Sequence, residues 1–350
     1  MPKEESASST GAPEVRELAA DTVRSAAAGA PKKRVPDFFI IGHQKCGTTA
    51  LYLMLRSHPQ IFMPDIKEPR YFASDLRTRF AVRSPAAERL HTLDGYLSLF
   101  TAASPQQRVG DASPNYIRSR AAPSAIADLQ PGARIIAILR EPASFLRSFH
   151  LQMVSSNVET QRDLRKAILL EEVRRQGRHI PRRCHVPDAL QYSNHVRYVE
   201  QLRRYHAVFP PENVLVLIYD DFRRDNEATV RKVLRFLDVD DTSPVETIDT
   251  EPLKAVRSLP LHQLASAARV ARMNPVAAGP VSRTVNALTP RPLRSEAFRA
   301  FWRRVVYSAA RPPDEEFMLE LRRRFKPEVV ALSDYLGRDL VSLWGYDTIG

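Results

Sequence analysis

The chain has 350 residues, of which 43% are hydrophobic, 26% charged and 8% aromatic, proportions that exclude a disordered, fibrous or disulfide-stapled protein. Lysine and arginine number 52 against 40 aspartates and glutamates, a formal net charge of +12 that suits an anionic partner. Two cysteines, Cys46 and Cys184, are too few for a disulfide framework and fit a reducing compartment; no run approaches the ~18 apolar residues of a membrane span and the N-terminus lacks a signal peptide's apolar core, so a cytoplasmic protein is expected.

Residues 1–34 are rich in Ala, Ser, Glu and Pro, hold nothing that could form a buried face, and are expected to be a disordered leader. Lys32, Lys33 and Arg34 within it suit a solvated linker better than a nucleic-acid or lipid contact. One domain is expected over residues 35–350. It starts with Phe38-Phe39-Ile40-Ile41, the unbroken apolar run of a strand buried on both faces. Gly42 ends that strand, His43-Gln44-Lys45-Cys46-Gly47-Thr48-Thr49 forms a loop, and the apolar spacing from Ala50 to Arg56 is that of a helix. A strand, tight loop and helix aim backbone N–H groups and a positive helix end at one point, which is what a phosphate or sulfate requires. The loop departs from the triphosphate pattern G-x-x-x-x-G-K-[ST]: Thr48 stands in the lysine position, and the loop's lysine is Lys45. It suits a single phosphate with a group attached.

Arg134 to Leu139 is a second buried-strand pattern, followed by Arg140 and by Pro142 at the first turn of a helix that carries Ser148. Arg140 at the carboxyl end of a parallel strand converges on the same sheet edge as the first loop, so two separated anion sites could grip two ends of one nucleotide. Asp163 to Arg175 has helical periodicity within an arginine-dense stretch from Arg162 to Arg204. Pro252 to Ser295 holds seven Lys and Arg and no Asp or Glu, a composition open to three readings: a lid, a contact with an anionic membrane, or plain surface. Asp314 to Leu332 reads as an amphipathic helix with Phe317, Leu321, Phe325 and Val329 on one face. The histidines show no metal-ligand spacing, and no metal is expected.

The pair Gly42-His43-Gln44-Lys45-Cys46-Gly47-Thr48-Thr49 and Leu139-Arg140-Glu141-Pro142 through Ser148 resembles the two cofactor signatures of sulfotransferases that use 3′-phosphoadenosine 5′-phosphosulfate (PAPS). Lys67-Glu68-Pro69-Arg70-Tyr71-Phe72 resembles the K-E-P-x-[FY]-F stretch of the carbohydrate branch, which includes the heparan sulfate sulfotransferases. Gly110-Asp111-Ala112-Ser113-Pro114-Asn115-Tyr116 resembles that branch's G-[DE]-x-[ST]-P-x-Y segment, and Asn213 to Phe222 its last core strand. The similarity spans about residues 35–240, with a weaker echo from Tyr335 to Leu340.

The resemblance implies an α/β fold: a P-loop-like central parallel sheet with helices on both sides and helical, basic insertions near the acceptor site, the variable segments being about 155–205 and 242–295. It implies a PAPS co-substrate, adenosine 3′,5′-bisphosphate as product and no metal. Carried over by position, Lys45 would contact the 5′-phosphate and bridging oxygen, and Gln44, Cys46, Gly47, Thr48 and Thr49 would complete that cradle. Arg140 and Ser148 would hold the 3′-phosphate, and Arg257 would supply a late phosphate contact. Glu68 would be the general base, although its residue pattern alone better suits a surface carboxylate paired with Lys67 or Arg70. Lys67 and Asp111 would face the acceptor; Asp111 could instead orient a cation or cap the turn at Ser113-Pro114. The implied acceptor is a hydroxyl, or less readily an amine, of a sugar, glycosylated metabolite, lipid or polyketide. The rivals weighed against this reading are an ATP-dependent small-molecule kinase, which needs the lysine that Thr48 replaces, and a basic nucleic-acid-binding protein, which needs an aromatic-interleaved or groove-reading element that the sequence lacks.

Overall fold

A computed structural model describes residues 34–76, 88–246, 254–256, 263, 307–309 and 312–349. The expected leader up to Lys33, Arg257 and nearly all of the basic segment 252–295 lie outside the described residues. The chain divides into two compact units: Met1–Glu141 with Arg197–Thr250 and Asp334–Leu336, and Pro142–Val196 with Glu251–Ser333 and Gly337–Gly350.

The first unit is built on five strands, β1 (Phe38–Gly42), β2 (Ile61–Phe62), β3 (Arg108–Ala112), β4 (Arg134–Leu139) and β5 (Val214–Ile218). They lie in the order β2-β3-β1-β4-β5, and every neighbouring pair is parallel. The Phe-Phe-Ile-Ile run of β1 is fully buried because β1 sits in the middle of the sheet, where helical crossovers cover both faces. Helix α1 (Thr48–Arg56) follows β1 and buries Leu51, Tyr52, Met54 and Leu55. After β1 the chain crosses to the edge strand β2, comes back inward to β3 beside β1, and then places β4 on the other side of β1. The strand order therefore reverses between β1 and β4, the point at which open α/β sheets bind ligands beyond their strand ends. Register brings Gly42 opposite Ala137, so the residues after β1 and after β4 leave the same edge.

The last strand is shorter than the Asn213 to Phe222 stretch suggests. It stops at Ile218, and Tyr219–Arg224 turns into a helix whose first turn carries Asp220 and Asp221, acidic groups that favour a helix start.

In the second unit, helix Pro142–Ser155 opens on its proline, which is tolerated at a first turn because the missing N–H has no intrahelical partner there. The stretch from Asp163 to Arg175 forms two short helices, Leu164–Leu169 and Glu171–Arg175, with the break at Leu170. The break lets Glu171 turn inward, where its carboxylate accepts from Ser193 N at 2.6 Å and Ser193 Oγ at 2.7 Å. Lys254–Val256 pairs antiparallel with Tyr307–Ala309. Helix Glu315–Leu336 buries Phe317, Leu321, Phe325 and Val329, the four positions that its apolar spacing places on one face. Among the described residues, no helix is long and apolar enough to cross a membrane.

Candidate functional site

The loop after β1 is shaped by left-handed backbone at Lys45 (φ 61°) and Gly47 (φ 84°). A Cβ at Gly47 would lie 2.8 Å from the Phe222 ring, so both the dihedral and the space demand glycine. Gly47 caps helix α1, whose first turn carries no acidic residue. Thr48 is buried there and Thr49 exposed. The helix start thus offers N–H groups and partial positive charge to an anion.

Arg140, the residue after β4, reaches across this edge. Its Nη1 donates to the Lys45 carbonyl at 3.2 Å, and its guanidinium lies 4.7 Å from the centroid of the Tyr219 ring. Tyr198 donates its hydroxyl to the Arg140 carbonyl at 2.9 Å. His43 Nε2 donates to Gln201 Oε1 at 3.0 Å, tying the loop's first residue to helix Tyr198–His206. Burial, and then the nearby Arg140 charge, hold the Lys45 ammonium below the usual lysine range. Two cations held this close favour an anion between them. Cys46 is fully buried, and burial outweighs the pull of Arg140, pushing its thiol up to about 12. It stays protonated at neutral pH and is no nucleophile.

A second cluster in the same unit surrounds Glu68. Residues 68 and 70 have left-handed backbone (φ 60° and 58°), which turns the segment sharply beside the end of β3. Glu68 N donates to the Ala112 carbonyl at 3.1 Å. Its carboxylate accepts from Lys67 Nζ at 2.8 Å and from Arg70 Nη2 at 2.5 Å. Burial raises the Glu68 carboxyl, but the charges and hydrogen bonds of Arg70 and Lys67 together outweigh it and leave it below the usual glutamate range. Lys67 is therefore a partner of Glu68. Asp111 is fully buried and accepts hydrogen bonds from Ser113, at the turn it could cap, and from Tyr96 and Tyr116.

The loop residues Gln44 to Thr49, Arg140, Lys67, Glu68 and Asp111 all belong to the first unit. Ser148 belongs to the second, buried on helix Pro142–Ser155, and its assignment rests on the sequence pattern alone. Arg257 lies outside the described residues. Sequence reasoning did not single out Tyr219, Tyr198, Phe222 or Gln201, because each meets the site from a distant part of the chain. Tyr219 does come directly after a strand end, as Arg140 does, and that shared placement was the available signal.

The model of the sulfotransferase family matches residues 36–243. The chain is 31% identical over 216 residues to the human bifunctional heparan sulfate N-deacetylase/N-sulfotransferase 3, covering 59% of this chain and 22% of that protein. It is 28% identical over 251 residues to human carbohydrate sulfotransferase 15, covering 59% of this chain and 44% of that one. It thus spans less than half the length of these curated relatives. Among solved structures, a sulfotransferase from Alicyclobacillus acidocaldarius matches with a TM-score of 0.53 and 28% identity, covering 69% of this chain and 96% of that chain.

Proposed function

Because the chain belongs to the sulfotransferase family, we propose that it transfers the sulfuryl group of PAPS to a hydroxyl of a sugar-like acceptor and releases adenosine 3′,5′-bisphosphate. The observation that carries this reading is Arg140 bound to the Lys45 carbonyl at the β1/β4 edge. One nucleotide with separate 5′ and 3′ groups needs two cations set apart in sequence and adjacent in space, and Lys45 and Arg140 are such a pair. The site fits that ligand chemically: a helix start, a glycine whose left-handed backbone turns the loop into it, and a lysine whose desolvation an anion would relieve. Family membership sets aside the kinase reading, in keeping with Thr48 at the triphosphate lysine position.

Sulfuryl transfer, like phosphoryl transfer, needs in-line positioning and cations where charge builds on the leaving oxygen. In this reading Lys45 supplies that cation. As the acceptor oxygen bonds to sulfur and the bond from sulfur to the phosphate oxygen breaks, the acceptor proton passes to the Glu68 carboxylate and the bond's electron pair stays with the phosphate. Lys67 and Arg70 keep Glu68 ionised at neutral pH but lower its basicity. An acceptor that displaces Arg70, whose side chain is 51% exposed, would restore a lone pair to the base.

Thermal unfolding at matched ionic strength tests the reading. Adenosine 3′,5′-bisphosphate at ~100 times its dissociation constant should stabilise the protein by about 2.7 kcal/mol, and adenosine 5′-monophosphate should stabilise it less at equal concentration. Stabilisation by ATP with Mg²⁺ and none by the bisphosphate would overturn it. Labelled sulfate transfer to neutral, carboxylated and lipid-linked oligosaccharides would then identify the acceptor.

A further inference from the structure

Asp111, near the end of β3, is fully buried. Its Oδ1 accepts from Ser113 Oγ at 2.8 Å, and its Oδ2 accepts from the hydroxyls of Tyr96 and Tyr116, each at 2.9 Å. An ionised carboxylate only accepts, and each hydroxyl has one proton to give. Having given theirs to Asp111, Ser113 and Tyr116 are left to act as acceptors towards the neighbouring segment. Arg70 N donates to Ser113 Oγ at 3.1 Å, and Phe72 N donates to the Tyr116 hydroxyl at 3.4 Å. With Glu68 N on the Ala112 carbonyl at 3.1 Å, alternate N–H groups of residues 68–72 are all held from the β3 end. The rings do the same: Tyr71 stacks on Tyr96 with centroids 4.7 Å apart, and Phe72 meets Tyr96 and Tyr116 edge-on.

We propose that Asp111 is the positioning residue for Glu68: by fixing the direction of the Ser113 and Tyr116 hydroxyls it holds residues 68–72 in the shape that presents the Glu68 carboxylate to the acceptor, and it touches no substrate itself. The inference rests on Glu68 being the base. It predicts a dependence on the charge of Asp111. A protonated Asp111 donates one bond, so the hydroxyl that receives it must turn its own proton away; if that hydroxyl belongs to Ser113 or Tyr116, it keeps a lone pair for the backbone N–H but loses its fixed direction, which weakens that hold. Burial raises Asp111 to about 6, the three hydroxyls pulling down and the Glu68 charge pushing up. The titratable groups facing it are Tyr96, Tyr116 and Tyr205, all held well above the usual tyrosine range, and Glu68, which is itself paired to Lys67 and Arg70. The latch is therefore closed above about pH 6 and loosens as the pH falls through it.

Amide hydrogen exchange at Arg70 and Phe72 tests this in the wild type, Asp111→Asn and Ser113→Ala, with adenosine 3′,5′-bisphosphate affinity measured in each. Asp111→Asn should lower the protection factor of at least one of the two amides by about tenfold, and Ser113→Ala that of Arg70 alone, as for a weakened or lost hydrogen bond to a buried donor. Bisphosphate affinity should stay within about twofold, as expected for an independent site. In the wild type at least one of the two protection factors should fall between pH 7 and 5, and Asp111→Asn should lack that fall. Unchanged protection in the variants, or a pH effect that persists in Asp111→Asn, would overturn the proposal. Should Asp111→Asn fail to fold, Ser113→Ala and Tyr116→Phe decide: each must release its own amide, and retained protection at both sinks the idea. Turnover separates this inference from the reading beneath it. Wild-type turnover in Glu68→Gln removes the base and leaves the exchange result standing, whereas a slow Glu68→Gln beside a fully active Asp111→Asn overturns the positioning role.

Discussion

Glu68 in the first unit and Glu159 in the second are both carboxylates held by basic or N–H donors, and they differ in what could replace those donors. The Glu159 side chain is 0% exposed and that of its partner Arg174 is 1% exposed. Arg174 donates to both Glu159 oxygens, at 2.7 and 2.8 Å; Tyr192 adds a hydroxyl at 3.1 Å, and Thr160 N and Gln161 N each donate at 2.7 Å. Every acceptor direction is filled by a group that cannot leave without stranding a buried charge. Glu68 has two donors, and one of them, Arg70, is half in water. A half-exposed partner can be exchanged for an acceptor at small cost, because solvent already screens the pair. Identical chemistry thus serves as a fixed fastening in one unit and an available lone pair in the other, and burial makes the difference.

The contrast breaks most visibly at Glu68. Glu68→Gln keeps the shape and removes the base, so turnover should fall by about 10²–10⁴-fold with bisphosphate affinity nearly intact. Unchanged turnover would reduce Glu68 to the surface ion pair that its residue pattern also allows. Next comes Arg174→Ala, which leaves the Glu159 charge buried and uncompensated and should cost about 3–5 kcal/mol in urea unfolding. A cost like that of an exposed pair, under about 1 kcal/mol, would mean the buried pair is dispensable. The smallest effect sharpens the comparison. In the proposed mechanism the Glu68 carboxylate is the active form, so activity should be lost as pH falls through its pKa, and the Arg70 charge holds that pKa down. Arg70→Gln should therefore move the acid limb of kcat/KM to higher pH, by less than about one unit given the exposure of Arg70. A limb that does not move would show that Arg70 does not hold the carboxylate in solution.

Helix Glu315–Leu336 was legible because its buried face is written at helical spacing within one segment. The break at Leu170 was not, since periodicity from Asp163 to Arg175 carries no sign that Glu171 must turn towards Ser193, 22 residues away. The same limit applies to the expected last strand: its apolar pattern leads up to Tyr219, but the turn into a helix there depends on Asp220 and Asp221, which the strand pattern itself does not weigh. In the site, the chain order of loop, Lys67-Glu68, Asp111 and Arg140 was visible. The pairing of Lys67 with its neighbour Glu68 was among the readings the pattern allowed, but the fastening of residues 68–72 to the β3 end was not, because a hydrogen bond across 43 residues, such as that from Arg70 N to Ser113 Oγ, leaves no mark on either segment.

By itself the sequence determined the central buried strands, the loop whose lysine sits at position 45, the arginine at the end of β4 and, through their pattern, the family. Those features are local: apolar runs, glycine placement and residue identity act over a few neighbours. Only the tertiary structure decided that the strand order reverses between β1 and β4, that Tyr219 lies against Arg140, that Phe222 forbids any side chain at Gly47, and that Glu68 rests between Lys67 and Arg70 on a backbone held through Asp111. Each of these depends on packing between residues far apart in the chain, where burial and mutual approach set the energies and no single segment records its partner.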